Sequence, residues 1–190
     1  MPVQLPDQNL SLFTIPKNGG TTLWMWSLLM RTGRPCEGNI YDHGWMCDGE
    51  VEPETMMIRR DPVDRFISGY RNFRDKRGLT MGFAEFVERM PELVVTNGDI
   101  RHHLAPQSDY FPWMPLEKVD HVFDFEDFAR AKEFLEERWG KELPEYHAQK
   151  SRVDDFEMTD AQVELIQQYY LNDYIAGFGD VVDDEEEEGK

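Results

Sequence analysis

An apolar segment that runs through a glycine pair into a helical pattern most constrains how this chain folds. Residues 10–15 (LSLFTI) are apolar enough for a buried strand, residues 16–20 have the composition of a loop, and residues 21–32 carry apolar side chains at helical spacing. Residues 55–59 and 119–125 have strand patterns too, and each precedes a helical pattern. Strands that alternate with helices predict an α/β fold whose central parallel sheet is flanked by helices.

The remaining predicted elements complete a single domain over residues 1–179. Its other helices are predicted over the ranges 62–73, 81–90, 126–139 and 159–171. Residues 34–54 are predicted to be irregular, and residues 91–115 to be mostly loop. Residues 180–190 carry a run of acidic side chains, which predicts a disordered tail.

The charge of the chain narrows the classes of partner. The 190 residues have a formal net charge of −18, which disfavours nonspecific binding to nucleic acid and to anionic membranes. No apolar run approaches the roughly 20 residues of a membrane span, and the N-terminus lacks the pattern of a signal peptide. Two cysteines, Cys36 and Cys47, do not make a disulfide framework, and we expect a reducing, cytoplasmic compartment.

The loop before the first predicted helix has the features of an anion site. Gly19 and Gly20 remove side chains from the turn, so that the first backbone N–H groups of the helix can point at an anion. Lys17 adds positive charge, and Thr21 and Thr22 add hydroxyl donors. The alternative is a tight turn with a surface lysine, and a glycine pair alone favours that alternative.

A second motif follows the second predicted strand, within a cluster of basic residues. Arg60 stands at the strand end and Ser68 two helical turns later, so that together they can hold a second phosphate. The alternative is that Arg60 pairs with Asp61 or Asp64 while Ser68 faces a packed neighbour. The basic residues of the cluster are Arg59, Arg60, Arg65, Arg71, Arg74, Lys76 and Arg77.

Both motifs resemble the nucleotide-binding motifs of sulfotransferases, particularly of the carbohydrate type. The segment IPKNGGTTL is similar to their 5′-phosphosulfate motif, and RDPVDRFISGY is similar to their 3′-phosphate motif, in the same order and with the same Arg-to-Ser spacing. Three later segments, HHLAPQSDY, VFDFEDF and NDYIAGFG, resemble further segments of the family, so the similarity runs through nearly the whole chain. The resemblance implies a P-loop-kinase-like three-layer sandwich and the sulfuryl donor 3′-phosphoadenosine 5′-phosphosulfate (PAPS).

The resemblance also implies roles for individual residues. Lys17 would contact the 5′ side and the bridging oxygen of PAPS, while Arg60 and Ser68 would hold the 3′-phosphate that distinguishes PAPS from ATP. A C-terminal loop would close on the nucleotide. The residues implied for PAPS binding are Lys17, Asn18, Gly19, Gly20, Thr21, Thr22, Arg60, Ser68, Lys150, Ser151 and Arg152.

The acceptor hydroxyl needs a general base, and histidine suits neutral pH. His43 is the first candidate, because several related enzymes place a catalytic His or Glu between the two phosphate motifs. His103 is the second, since it lies in a segment that tends to line the acceptor cleft of relatives. Glutamates in the same irregular region as His43 are alternatives, namely Glu50, Glu52 and Glu54.

These motifs predict a PAPS-dependent sulfotransferase (EC 2.8.2 type). By in-line displacement it would sulfate a hydroxyl of a small-molecule or glycan acceptor, with a carbohydrate or glycolipid expected. No metal is expected, because the transferred group carries little charge and Cys36, His43 and Cys47 lack the common spacing of zinc ligands. One alternative is a P-loop-like nucleotide kinase, whose Gly-x-x-x-x-Gly-Lys-Ser/Thr loop is missing. The other is a noncatalytic protein of the same fold that binds PAPS or its bisphosphate product (PAP). A compact enzyme without the membrane anchor of animal carbohydrate sulfotransferases suggests a microbial or viral source.

Overall fold

A four-stranded mixed sheet forms the centre of the protein. The computed structural model describes residues 2–146 and 157–179. The strand order is β1-β2-β3-β4, with β1 antiparallel to β2 and with β2, β3 and β4 mutually parallel. The strands are β1 (Val3–Leu5), β2 (Leu10–Phe13), β3 (Glu54–Arg59) and β4 (His121–Asp124).

Strand β1 is the one strand that sequence patterning misses among the described residues. It is three residues long, and it is fixed by pairing with the next strand, Val3 opposite Leu12 and Leu5 opposite Leu10. This antiparallel edge makes the sheet mixed, whereas the sequence predicts a parallel sheet. The predicted α/β architecture, with its three parallel strands and flanking helices, is confirmed.

Helices flank the sheet and build a second layer of packing around it. The α-helices are α1 (Gly20–Thr32), α2 (Pro62–Arg77), α3 (Phe83–Thr96), α4 (Gly98–Leu104), α5 (Phe128–Trp139), α6 (Asp160–Tyr169) and α7 (Leu171–Ile175). Short 3₁₀ segments cover Pro6–Gln8, Ile40–Cys47, Gln107–Asp109, Leu116–Lys118 and Phe125–Asp127.

The prediction that residues 91–115 are mostly loop is wrong in its first half. Helix α3 continues through Pro91 to Thr96, and α4 follows at once. A proline inside a helix removes one hydrogen bond, and burial of Met90 and Val94 on the same face offsets that loss. The Asn97 side chain then accepts from the first N–H groups of α4 and caps it.

Alternate residues of the central strands face two separate cores. Leu12 of β2 and Met56 of β3 pack in one core with α1 and α5. Phe13 and Met57, one position later in each strand, pack in another core with Phe111 and its neighbours. This alternation is the period of a strand covered on both faces. The carboxyl ends of β2 and β3 therefore emerge together between two packed layers.

Candidate active site

Two strand-to-helix turns lie side by side at the carboxyl edge of the parallel strands. The first turn, residues 14–19, joins β2 to α1, and the second turn, residues 60–61, joins β3 to α2. A cavity of about 1190 Å³ opens along this edge, where α/β sheets commonly bind ligands. The predicted site residues that line it are Lys17, Gly19, Gly20, Thr21, Thr22, Arg60, Ser68 and His103.

The first turn contains two residues with left-handed backbone angles. Lys17 has a φ of 73° and Gly19 a φ of 76°. At Gly19, a methyl group would also overlap the ring of Phe128, so this position requires glycine on two grounds. At Gly20, the first residue of α1, a methyl group would meet the Ile15 carbonyl at 3.5 Å and the Thr14 Cβ at 3.9 Å, both ordinary contact distances.

Asn18 is buried behind the first turn and does not line the cavity. Its backbone N–H donates to the Ile15 carbonyl at 3.2 Å. Its side-chain Nδ2 donates to the Ile58 carbonyl at 2.8 Å and to Gln107 Oε1 at 2.6 Å. These contacts tie the first turn to β3, so the role the structure supports for Asn18 is to shape the turn.

The N-terminus of α1 is open toward the cavity. None of the described side chains caps it, and the Gly19 carbonyl accepts its first intrahelical bond from the Leu23 N–H at 3.1 Å. The N–H groups of Gly20, Thr21 and Thr22 therefore have no acceptor within the helix. Together with the positive end of the helix dipole, they are able to bind an anion.

The N-terminus of α2, in contrast, is closed by its own sequence. The Asp61 carboxylate accepts from the Val63 N–H at 2.9 Å and from the Asp64 N–H at 3.0 Å. Pro62 follows at the first helical position, where its missing N–H costs nothing. An anion beside the second turn must therefore be held by side chains.

The two adjacent arginines of the second motif have different surroundings. Arg59 pairs with Asp124 at 2.5 Å and donates to the Gly177 carbonyl at 2.8 Å. Arg60 lines the cavity and forms no ion pair with a described residue. Its Nη1 donates to the Lys17 carbonyl at 2.9 Å, and its guanidinium lies 4.1 Å from the ring centre of Phe125. Arg60 is thus the arginine available to a ligand.

Positive charge is concentrated at the first turn, against the negative charge of the whole chain. Burial, and after it the charges of Lys76, Arg60, Arg77 and Arg65 in that order, together lower the pKa of the Lys17 ammonium from 10.5 to about 8. The Nε of Arg60 is buried without a hydrogen-bond partner. A bound anion would relieve both costs.

His103 lies in α4 and faces the cavity. Its Nε2 is 2.8 Å from Nη2 of Arg77, which is itself paired with Asp99. A guanidinium only donates, so Nε2 accepts and the ring proton resides on Nδ1, which is buried without a partner. Burial, then the charges of Arg77 and His102, lowers the pKa of His103 to about 4. The imidazole is therefore neutral at physiological pH.

The other candidate bases lie elsewhere. His43 is half-buried at a kink in the 3₁₀ segment Ile40–Cys47, next to the Trp45 ring, and it is not among the cavity-lining residues. Glu54 begins β3, at the opposite edge of the sheet, and pairs with Arg138 and His121. Glu50 and Glu52 precede it and do not line the cavity either. The predicted nucleotide contacts Lys150, Ser151 and Arg152 lie outside the described residues.

Buried polar residues that the sequence analysis assigns no role hold the two turns in place. Arg65 is fully buried and donates to the Pro16 carbonyl at 3.1 Å and to the Ala105 carbonyl at 2.9 Å. Gln107 and Asp173 are also buried and hydrogen-bonded to each other. Arg65 and Gln107 occur within segments that resemble the family, and that resemblance is the only sequence signal for them.

The described residues contain neither a candidate metal site nor a candidate membrane-spanning helix. Among residues 2–146 and 157–179, no group of three or more His, Cys, Asp or Glu side chains is arranged to hold a metal ion. In the same residues, no helix is both long enough and apolar enough to span a membrane.

Comparison with known proteins identifies the family. The model of the sulfotransferase family matches residues 3–176, a span that includes both turns. Among solved structures, the chain is similar to a sulfotransferase from Alicyclobacillus acidocaldarius, with 15% sequence identity, a TM-score of 0.39, and coverage of 88% of this chain and 83% of that chain. Comparison with curated proteins finds no match. The predicted family is confirmed by the first of these findings: the chain belongs to the sulfotransferase family.

Proposed function

We propose that the protein transfers the sulfuryl group of PAPS to a hydroxyl of a carbohydrate or glycolipid acceptor. One observation carries the proposal: a single cavity joins the open N-terminus of α1 and Lys17 to Arg60 and Ser68. Family membership supports sulfuryl transfer, and hydrogen-bond donors from two different turns around one cavity favour a nucleotide that bears phosphate at both its 5′ and 3′ positions. Trp24 and Tyr41 line the same cavity, and their rings could pack against a sugar.

The residues of the cavity fit PAPS. The unpartnered Nε of Arg60 and the lowered pKa of Lys17 are both costs that an anion would remove. The N–H groups of Gly20–Thr22 would hold the 5′-phosphosulfate, and Arg60 with Ser68 would hold the 3′-phosphate. When bound, PAPS supplies the sulfuryl group. Lys17 is charged below about pH 8 and would stabilise the negative charge that develops on the leaving oxygen.

His103 is the candidate base that the geometry favours over His43, because it lines the cavity. Burial lowers its pKa most, followed by nearby cationic groups. An anionic donor would offset the effect of the cations, which would make the imidazole a stronger base once PAPS is bound. We expect His103→Ala to lower kcat by about 10²-fold, within the range for loss of a general base. His43→Ala is the matched comparison, and a larger loss in His43→Ala would move the assignment to that residue.

The donor is tested by calorimetric titration with adenosine 3′,5′-bisphosphate (PAP) and with ADP. We expect tight binding of the bisphosphate and weak binding of ADP, with the preference lost in Arg60→Ala and kept in Arg59→Ala. The neighbouring arginine is a close control, because its guanidinium pairs with Asp124. Equal affinities for the two nucleotides in the wild-type protein would contradict PAPS as the donor.

The reaction itself is tested by mass spectrometry, with isotopically labelled PAPS and a panel of glycans and glycolipids. Mass gain on an acceptor and release of the bisphosphate are expected together. One observation favours the noncatalytic alternative: the Nε2 of His103 is engaged by Arg77. Tight bisphosphate binding without transfer to any acceptor in the panel would support that alternative.

A further inference from the structure

We propose that Gln107 is a positioning residue that fixes the two anion sites relative to each other. The inference rests on the proposed function, because it assumes one ligand that occupies both sites. Gln107 is 1% exposed and is not among the residues that line the cavity. It therefore acts through its neighbours and does not contact the ligand.

The Gln107 side chain bonds to both turns at once. Its Oε1 accepts from Asn18 Nδ2 of the first turn at 2.6 Å and from the Arg60 N–H of the second turn at 3.3 Å. Its Nε2 donates to the Arg60 carbonyl at 2.8 Å. The amide of Gln107 thus bonds both the backbone of Arg60, in the second turn, and the side chain of Asn18, which shapes the first turn.

The backbone of Gln107 is itself fixed from behind. Its N–H donates to Asp173 Oδ2 at 2.8 Å, and the N–H and hydroxyl of Ser108 donate to Asp173 Oδ1, each at 2.9 Å. Asp173 is fully buried in α7. The bridge between the two turns is therefore anchored to a third element, and Gln107 cannot follow one turn without disturbing the other.

This arrangement predicts an effect on ligands with two anionic groups that is absent for ligands with one. A bisphosphate gains from both sites only if their separation matches its own, since the second contact is then made without a further entropic cost. A monophosphate occupies one site and is indifferent to the separation. The ratio of bisphosphate to monophosphate affinity is thus the quantity that Gln107 should control.

The experiment is calorimetric titration of wild type and Gln107→Met with adenosine 3′,5′-bisphosphate, adenosine 5′-monophosphate and adenosine 3′-monophosphate. Methionine keeps the length and removes the polar atoms. We expect the Kd for the bisphosphate to rise about tenfold, within what loss of the three side-chain hydrogen bonds of Gln107 allows, while each monophosphate changes less than about threefold. Ser108→Ala removes one bond to the same Asp173 and touches neither turn, so its affinity ratio should match wild type.

Each outcome decides the proposal. An equal loss for all three nucleotides in Gln107→Met, or no loss for the bisphosphate, overturns the positioning role while the wild-type preference for the bisphosphate leaves the proposed function standing. A wild-type protein without that preference overturns both. Should Gln107→Met fail to fold, Gln107→Glu keeps an acceptor for Asn18 and loses the donor to the Arg60 carbonyl. We expect it to give an intermediate ratio, and a full wild-type ratio would overturn the proposal.

Discussion

The two strand-to-helix turns differ in whether the N-terminus of the following helix is capped. Each follows a parallel strand and opens a helix at the same edge of the sheet. The first turn leaves the N-terminus of α1 without a side-chain cap and places a glycine where a methyl group would overlap Phe128. The second turn closes the N-terminus of α2 with Asp61 and Pro62. Backbone N–H groups are therefore free to bind a ligand at the first turn, whereas only side chains are available for this at the second turn.

Under the proposed function, this difference would explain why the two motifs use different residues for anions. At the first turn, N–H groups and the helix dipole could bind an anion without regard to side chains, so glycine and threonine would suffice and Lys17 would add positive charge. At the second turn, the carboxylate of Asp61 occupies the N–H groups that an anion would need. Under the proposed function, Arg60 and Ser68 would supply the contacts there. Arg60 also ties the turns together through the Lys17 carbonyl.

The largest expected effect separates the charge of the first turn from its backbone. Lys17→Ala should lower kcat for sulfuryl transfer by about 10²–10³-fold, comparable with the loss of one donor to a developing negative charge. The N–H groups remain, so bisphosphate affinity should fall far less. Steady-state kinetics measures the loss in kcat, and calorimetric titration of the same preparation measures the bisphosphate affinity. Lys76→Ala, an exposed cation that acts on Lys17 only through its charge, is the control, and an equal kcat loss there would refute a specific role for Lys17.

The next effect tests whether the two glycines of the first turn have different roles. Gly19→Ala would place a methyl group against Phe128 at a left-handed φ, and should lower the free energy of unfolding by at least about 2 kcal/mol. Gly20→Ala has room in the first turn of α1 and should change it by less than about 1 kcal/mol. Urea denaturation monitored by circular dichroism measures both. Similar losses in the two variants would mean that the open N-terminus is not shaped by Gly19.

The charge at the first turn also predicts linkage to pH. The pKa of Lys17 is about 8 in the free protein, so near pH 8 the Lys17 side chain is neutral in about half of the molecules. A bound bisphosphate would favour the charged form. We expect uptake of about half a proton on binding at pH 8, and affinity that falls as the pH rises further. Calorimetry in buffers of different ionisation enthalpy measures the uptake, which Lys17→Arg should abolish because arginine stays protonated.

The sign of the stability effect is opposite to that of binding. In the folded, ligand-free protein the Lys17 pKa lies below its unfolded value of 10.5, so the unfolded chain binds more protons between about pH 8 and 10.5. The contribution of Lys17 to the free energy of unfolding therefore rises with pH across that window. This rise in the free energy of unfolding between about pH 8 and 10.5 should be absent in Lys17→Arg, whereas below pH 8 the variant and the wild type should show the same pH dependence. That result would support the lowered pKa of Lys17.

Local patterns in the sequence predict the two turns but not what connects them. Apolar periodicity locates β2, β3 and the helices after them, because each pattern is contained in one short stretch of consecutive residues. The short β1 and the continuation of α3 through Pro91 escape prediction, since pairing and burial decide them. Contacts across the sheet edge are harder still. The bond from Asn18 to Gln107 joins residues 89 positions apart, and no local pattern encodes it.

The general base illustrates the same limit. His43 ranks first from its position between the motifs, yet the 3₁₀ segment that carries it places it outside the cavity lining, whereas Tyr41 and Cys47 beside it contribute to that lining. His103 reaches the cavity through α4, which sequence patterning treats as loop. Its partner Arg77 is the last residue of α2. Which histidine faces the ligand depends on how two helices pack, and periodicity does not contain that information.

The smallest expected effect tests whether the second turn binds through side chains alone. Asp61→Ala removes the cap of α2 and should lower the free energy of unfolding by about 1 kcal/mol. Bisphosphate affinity should stay within about threefold of wild type, because the Arg60 side chain keeps its bond to the Lys17 carbonyl. Asp64→Ala, exposed in the same helical turn and without a capping bond from its side chain, is the control. Loss of bisphosphate binding in Asp61→Ala as large as in Arg60→Ala would mean that the cap positions the arginine, and the two turns would then differ less than their N-termini suggest.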